Sequence, residues 1–137
     1  MKRVLFLCTG NAARSQMAEA LANHFHGDEI EAVSAGSRAA GFVHPLAIRA
    51  MAEIGIDISD AESKSAAQFI DQPFDAVVTV CDSAAKDCPR WPGAKRIEHW
   101  SIEDPSWGED EESTRFQRFE ETRDDLRQRI DDLVGTL

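Results

Sequence analysis

The feature that most restricts this chain lies at its start: a short apolar run, broken by a loop of small residues, that turns at once into a helical pattern. Arg3 to Leu7 is too short and too continuously apolar for an amphipathic helix, and it suits a strand buried on both faces of a parallel sheet. The next residues, Cys8-Thr9-Gly10-Asn11-Ala12-Ala13, form the loop. From Arg14 to His26 the apolar residues Met17, Leu21 and Phe25 return every fourth position with Ala18 and Ala22 beside them, which predicts a helix stopped at Gly27. Strand, loop and helix then recur. Ile30 to Ser34 predicts a second strand closed by Ala35-Gly36. Pro45 opens a helix whose inner face is Leu46, Ala47, Ala50, Met51 and Ile54, with Gly55 at its end. Ala66 to Ile70 reads as a short helix, Phe74 to Val80 as the clearest strand, and Arg96 to Trp100 as a last short strand. Phe116, Phe119, Leu126, Ile130 and Leu133 predict a long closing helix from Ser113, with Ser113 as its cap. Alternation of this kind defines an α/β fold: a four-stranded, mostly parallel sheet flanked by helices, in a single domain over residues 1–137.

Charge and cysteine usage narrow the classes of function. The chain carries 15 basic and 25 acidic residues, a net charge of −10, which argues against a nucleic-acid binder or a polybasic membrane-surface protein. No apolar run is long enough to span a bilayer, and the opening run lacks the length and cleavage site of a signal peptide, so a cytoplasmic protein is expected. The segment from Glu103 to Asp132 holds 12 acidic and 5 basic residues, read as a solvated helix face preceded by an acidic loop; an acidic docking surface is the other reading. Cys8, Cys81 and Cys88 make an odd set, unlike a secreted disulfide scaffold. His24, His26, His44 and His99 could complete a zinc set only without any of the usual ligand spacings, so no metal is expected.

The chemistry concentrates in Cys8-Thr9-Gly10-Asn11-Ala12-Ala13-Arg14-Ser15. A loop leaving the carboxyl end of a parallel strand and opening a helix is where α/β sheets bind ligands. Successive main-chain amides of Thr9, Gly10, Asn11, Ala12, Ala13 and Arg14 can curl around an oxyanion, and the helix amino terminus adds positive potential. The small residues let the backbone approach closely, and the Arg14 guanidinium can grip two oxygens. Cys8 would lie on the floor of this nest, where a helix terminus and an arginine favour the nucleophilic thiolate, and the Ser15 hydroxyl can donate to its sulfur.

The stretch Val4-Leu5-Phe6-Leu7-Cys8-Thr9-Gly10-Asn11-Ala12-Ala13-Arg14-Ser15-Gln16-Met17-Ala18-Glu19 resembles the low-molecular-weight protein tyrosine phosphatase superfamily, with its Rossmann-like fold, and within it the thioredoxin-coupled arsenate reductases. Ser34-Ala35-Gly36, Gly55-Ile56-Asp57-Ile58-Ser59, Val77-Val78-Thr79-Val80-Cys81, Cys88-Pro89, Glu98-His99-Trp100 and Asp104-Pro105 extend the likeness through most of the chain. The resemblance implies an enzyme that reduces arsenate through a Cys8 adduct. It gives Asp104 the role of general acid. It makes Cys81 and Cys88 the thiols that take over the oxidation, with thioredoxin as the external reductant or, alternatively, glutaredoxin and glutathione. No cofactor is implied, and the ligand is arsenate or the similar phosphate ion. Cys81 and Cys88 would stand roughly 10 Å apart on a two-turn helix. A disulfide needs Cα atoms within about 7 Å, so closing the pair requires local unwinding.

Two other functions fit the same residues: a phosphatase working through a Cys8 phosphocysteine, and a non-catalytic oxyanion-binding or redox-sensing protein. The chain departs from the family pattern at Ala12, usually serine, and at Ala13, where some members carry another cysteine. Some members also bind potassium beside the loop. Asn11, Glu19 and Ser34 match three of that site's positions. The remaining carboxylate aligns with Lys64, whose ammonium stands in for the ion's charge, so no potassium requirement is expected. Trp91 and Trp107 are candidates for the pocket mouth or for ordinary packing.

Overall fold

The computed structural model describes residues 1–81, 91–106, 108 and 110–137. Strand β1 spans Lys2–Cys8, helix α1 Arg14–His26, β2 Ile30–Gly36, α2 Pro45–Ala52, β3 Ala76–Thr79, β4 Ile97–His99 and α3 Glu112–Val134; a 3-10 turn covers Ala66–Gln68. The sheet runs in the order β2-β1-β3-β4 with every pairing parallel. This is the expected four-stranded α/β architecture, with β1 at its centre.

Strand periodicity divides the core in two. Val4, Phe6, Ala32, Ala76 and Val78 join Met17, Leu21, Met51, Phe119, Leu126 and Ile130 in the cluster shared by α1, α2 and α3. Leu5, Leu7 and Val77 face the other way and meet Ala66, Phe74 and Trp91. The buried, unbranched Phe6 is central to the first cluster, and its loss to alanine would cost about 3–5 kcal/mol. Among the described residues, no helix is long and apolar enough to cross a membrane.

The element ends differ from the sequence expectation in physically readable ways. Strand β2 continues to Gly36 because it pairs with β1 as far as Cys8. Strand β3 shrinks to four residues because Phe74 makes only an isolated bridge, to Ala94. The expected helix at 66–70 is a single 3-10 turn capped by Ser65. Ser113 does not cap α3: the helix starts at Glu112, and its cap position, Glu111, makes no side-chain bond. Trp91 is 3% exposed and packs edge-on against Phe74, so it is a core residue and does not line a pocket mouth. Trp107 lies outside the described residues.

Candidate active site

The loop between β1 and α1 owes its shape to bonds made from outside it. Six consecutive carbonyls each receive a donor: Cys8 from the Ser37 amide at 3.2 Å, Thr9 from Arg38 at 2.9 Å, Gly10 from Ala40 at 2.8 Å, Asn11 from the Gln16 side chain at 3.2 Å, Ala12 from His44 at 2.8 Å and Ala13 from Met17 at 2.9 Å. The Ser63 hydroxyl adds a second bond to the Gly10 carbonyl at 3.1 Å. A trans peptide points its N–H opposite its C=O. Fixing these carbonyls outward therefore turns the following amides inward, toward a common centre, which is the geometry of an anion nest.

Asn11 locks the curl. Its φ of 49° lies in the left-handed region that asparagine tolerates better than most residues. All four hydrogen-bonding positions of its side chain are used. Nδ2 donates to Ser15 Oγ at 2.8 Å and to Ser34 Oγ at 3.0 Å. Oδ1 accepts from the Lys64 amide at 2.7 Å and from Gln16 Nε2 at 3.0 Å. Gly36 makes room for this arrangement: a β-carbon there would lie 2.6 Å from the Thr9 carbonyl oxygen and 3.0 Å from the Asn11 nitrogen.

Cys8 is buried at the floor of the loop. The Asn11 amide donates to its sulfur at 3.1 Å, and Ser15 Oγ lies 2.8 Å away. Since Ser15 Oγ accepts from Asn11, its own hydrogen is available to the sulfur. Two donors thus converge on Sγ, the surroundings that an attacking sulfur anion requires.

The neighbouring strand brings in a second thiol. Cys81 follows β3, the parallel partner of β1, and its Sγ lies 3.4 Å from Thr9 Oγ1. Both cysteines are buried. Cys88 lies outside the described residues. The expected acid, Asp104, sits on the loop after β4. Arg14 Nη1 donates to the Ile102 carbonyl at 2.8 Å and so fastens that loop beside the anion nest. That bond uses one Nη1 hydrogen and leaves the Nε and Nη2 donors for the expected grip on two ligand oxygens. Asp104 Oδ1 accepts from the Ser106 amide at 2.9 Å and from its hydroxyl at 2.7 Å. Half-buried His44 holds its proton less tightly than usual, chiefly through burial; Asp104 opposes that effect and Arg115 adds to it.

The structure therefore joins Cys8, Thr9, Gly10, Asn11, Ala12, Ala13, Arg14, Ser15 and Cys81 in one constellation, with the Asp104 loop tied to it. Sequence reasoning assigned no role to Gln16, Ser63 or Gly36. Gln16 had a visible signal, being a polar residue on the buried side of α1, where it is 1% exposed. Lys64 Nζ lies 3.4 Å from Glu19 Oε1 and 3.1 Å from the Glu62 carbonyl, and Glu19 accepts from Ser34 at 3.1 Å. A positive charge thus already faces Glu19, and these residues do not fit an added cation.

A buried sulfur that receives two hydrogen bonds, beneath a loop whose carbonyls are turned outward, is an arrangement that can carry displacement at a tetrahedral oxyanion. The sequence matches the low molecular weight phosphotyrosine protein phosphatase family over residues 3–137, and the chain belongs to that family. It is 43% identical to an arsenate reductase of Halalkalibacterium halodurans over 135 residues, covering 98% of this chain and 96% of the relative. Its fold is similar to that of an arsenate reductase solved in the phosphate binding state, with a TM-score of 0.85, 32% identity and coverage of 99% and 98% of the two chains. It is also similar to a thioredoxin-dependent arsenate reductase of Corynebacterium glutamicum, with a TM-score of 0.74, 34% identity and coverage of 99% of this chain and 61% of the other.

Proposed function

We propose that the chain is an arsenate reductase in which Cys8 forms the first adduct and Cys81 and Cys88 carry the oxidation away, with thioredoxin as the external reductant. The single observation that carries this reading is the second thiol: Cys81 Sγ stands 3.4 Å from the hydroxyl of Thr9, the residue next to the nucleophile. A phosphatase needs no such group.

In the first step the Cys8 sulfur attacks arsenic in the amide cradle. One arsenic–oxygen bond breaks, and Asp104 supplies the proton that lets the oxygen leave as water. In the second, Cys81 attacks the Cys8 sulfur. The sulfur–arsenic bond breaks and its electron pair goes to arsenic, which leaves as arsenite, while the two sulfurs form a disulfide. The Thr9 hydroxyl lies within hydrogen-bond reach of the Cys81 sulfur. Cys88 then attacks Cys81 and frees Cys8 as thiolate, and an external dithiol reduces the Cys81–Cys88 disulfide. The name of the Corynebacterium relative supports thioredoxin in that part. The same cradle and acid would also suffice for phosphate-ester hydrolysis through a Cys8 phosphocysteine, and this is the competing reading.

Cys81→Ser separates the two. Arsenate-dependent NADPH oxidation, followed with thioredoxin and its reductase and in parallel with glutathione and glutaredoxin, should be lost in the variant, while aryl phosphate hydrolysis stays within about threefold. Sustained arsenate turnover by Cys81→Ser overturns the relay. Turnover of the unaltered chain with glutathione and glutaredoxin alone overturns thioredoxin as the reductant.

A further inference from the structure

His44 joins three parts of the molecule through different atoms. Its amide donates to the Ala12 carbonyl at 2.8 Å and so orients one peptide of the anion loop. Its Nδ1 accepts from the Leu46 amide at 3.1 Å and caps α2. Its ring lies against the buried Phe119 of α3, with centroids 4.8 Å apart and planes inclined at 35°. Ring and amide belong to one residue, so anything that displaces the ring also disturbs the Ala12 peptide.

The cap fixes the chemistry of the ring. A nitrogen that accepts must keep its lone pair, so His44 is neutral with its hydrogen on Nε2. A second proton would go onto Nδ1 and set two donors, that N–H and the Leu46 amide, face to face. The charged groups acting on the ring from the elements around it are Asp104, on the loop after β4, and Arg115, in the first turn of α3. Burial and Arg115 favour the neutral ring, and Asp104 favours the charged one.

We propose that His44 is a positioning residue for the reaction: its main-chain amide holds the Ala12 peptide in the oxyanion cradle, its neutral ring keeps that amide in place by capping α2, and protonation of the ring loosens the hold. The proposal rests on the reading of the 8–14 loop as that cradle. Since protonation is disfavoured in the folded chain, the hold is complete at neutral and alkaline pH and is lost as the solution becomes more acidic than the ordinary histidine range.

Sulfate is a suitable probe, because it is tetrahedral and keeps its double charge throughout. Its binding should be measured by calorimetry from pH 8 to about pH 4.5, well below the ordinary histidine range, in the unaltered protein, in His44→Asn and in His44→Ala. Asparagine caps a helix well and does not titrate. The unaltered protein should bind sulfate roughly fivefold more weakly at the acid end, the size expected for the loss of one helix cap. His44→Asn should match it at pH 8 within about twofold and stay flat, and His44→Ala should be about fivefold weaker at both ends. Superimposable pH profiles for the unaltered protein and His44→Asn overturn the role of His44 alone, and they decide the matter even if His44→Ala does not fold. Absence of sulfate binding by the unaltered protein at pH 8 overturns the cradle itself, and the proposal with it.

Discussion

Two loops at the carboxyl edge of the sheet, which the proposed mechanism assigns to one reaction, are built differently. The loop after β1 has a donor on every carbonyl from Cys8 to Ala13 and an asparagine whose side chain is fully bonded. For the loop after β4, the bonds among the described residues include that of Arg14 to the Ile102 carbonyl and a local turn in which Ser106 bonds to Asp104. The contrast follows from what each must supply. Charge that develops in a transition state is stabilised best by dipoles already in place, because dipoles that must reorganise give much of that stabilisation back. A proton donor needs only reach and the right protonation state. Fixity therefore belongs in the first loop, where the amides face the anion.

The strongest challenge to this contrast is Asp104→Asn. It should lower kcat by roughly two to three orders of magnitude and leave sulfate affinity unchanged within about twofold, because it removes a proton and no part of the cradle. A parallel loss of sulfate affinity would mean that the second loop also shapes the anion site. Gly36→Ala attacks the first loop instead. The new methyl group would meet main-chain atoms of Thr9 and Asn11, which cannot swing aside. Denaturant unfolding should reveal a destabilisation of about 1–3 kcal/mol, with sulfate binding weakened about tenfold.

A finer cut is Thr9→Val, which keeps the amide and removes the hydroxyl beside Cys81. Arsenate turnover should fall about fivefold, the worth of one hydrogen bond, with aryl phosphate hydrolysis unaltered. The smallest effect belongs at the other end of the sheet. The Arg3 amide donates to Asp75 at 2.8 Å and, more than the nearby lysines, holds that carboxyl below the usual carboxylate range. Its depressed value in the folded chain means that its stabilisation is present above the unfolded value and is lost as pH falls through the folded one. Asp75→Asn should therefore lower the melting temperature slightly at pH 7, converge with the unaltered protein in strong acid, and leave the kinetics of both loops unchanged.

The sequence discloses the site's contents better than its supports. Met17, Leu21 and Phe25 reveal α1 by their spacing, and the small residues after Cys8 reveal a loop that can approach an anion. The donors that shape that loop are mostly main-chain amides of Ser37, Arg38, Ala40 and His44, and an amide leaves no trace in residue identity. Gly36 could be read only as the end of a strand, because the atoms it must clear belong to a segment more than twenty residues earlier. The tryptophan near Cys88 is misleading for a related reason: composition says that Trp91 is large and amphipathic, but only the packing of Phe74 shows which side of the sheet it fills. The bounds of β3 depend on where Ala94 bridges Phe74, again a matter of partners distant in the chain.

The supports of the cradle have a consequence for biosynthesis. Cys8 leaves the ribosome early, but the groups that arrange its surroundings arrive with Gly36, His44, Ser63 and Lys64, and its thiol partner with β3. Until then the nascent polypeptide carries an ordinary cysteine with no receptor around it. The bonds that surround the Cys8 sulfur therefore close only when the middle of the chain has docked on β1 and α1.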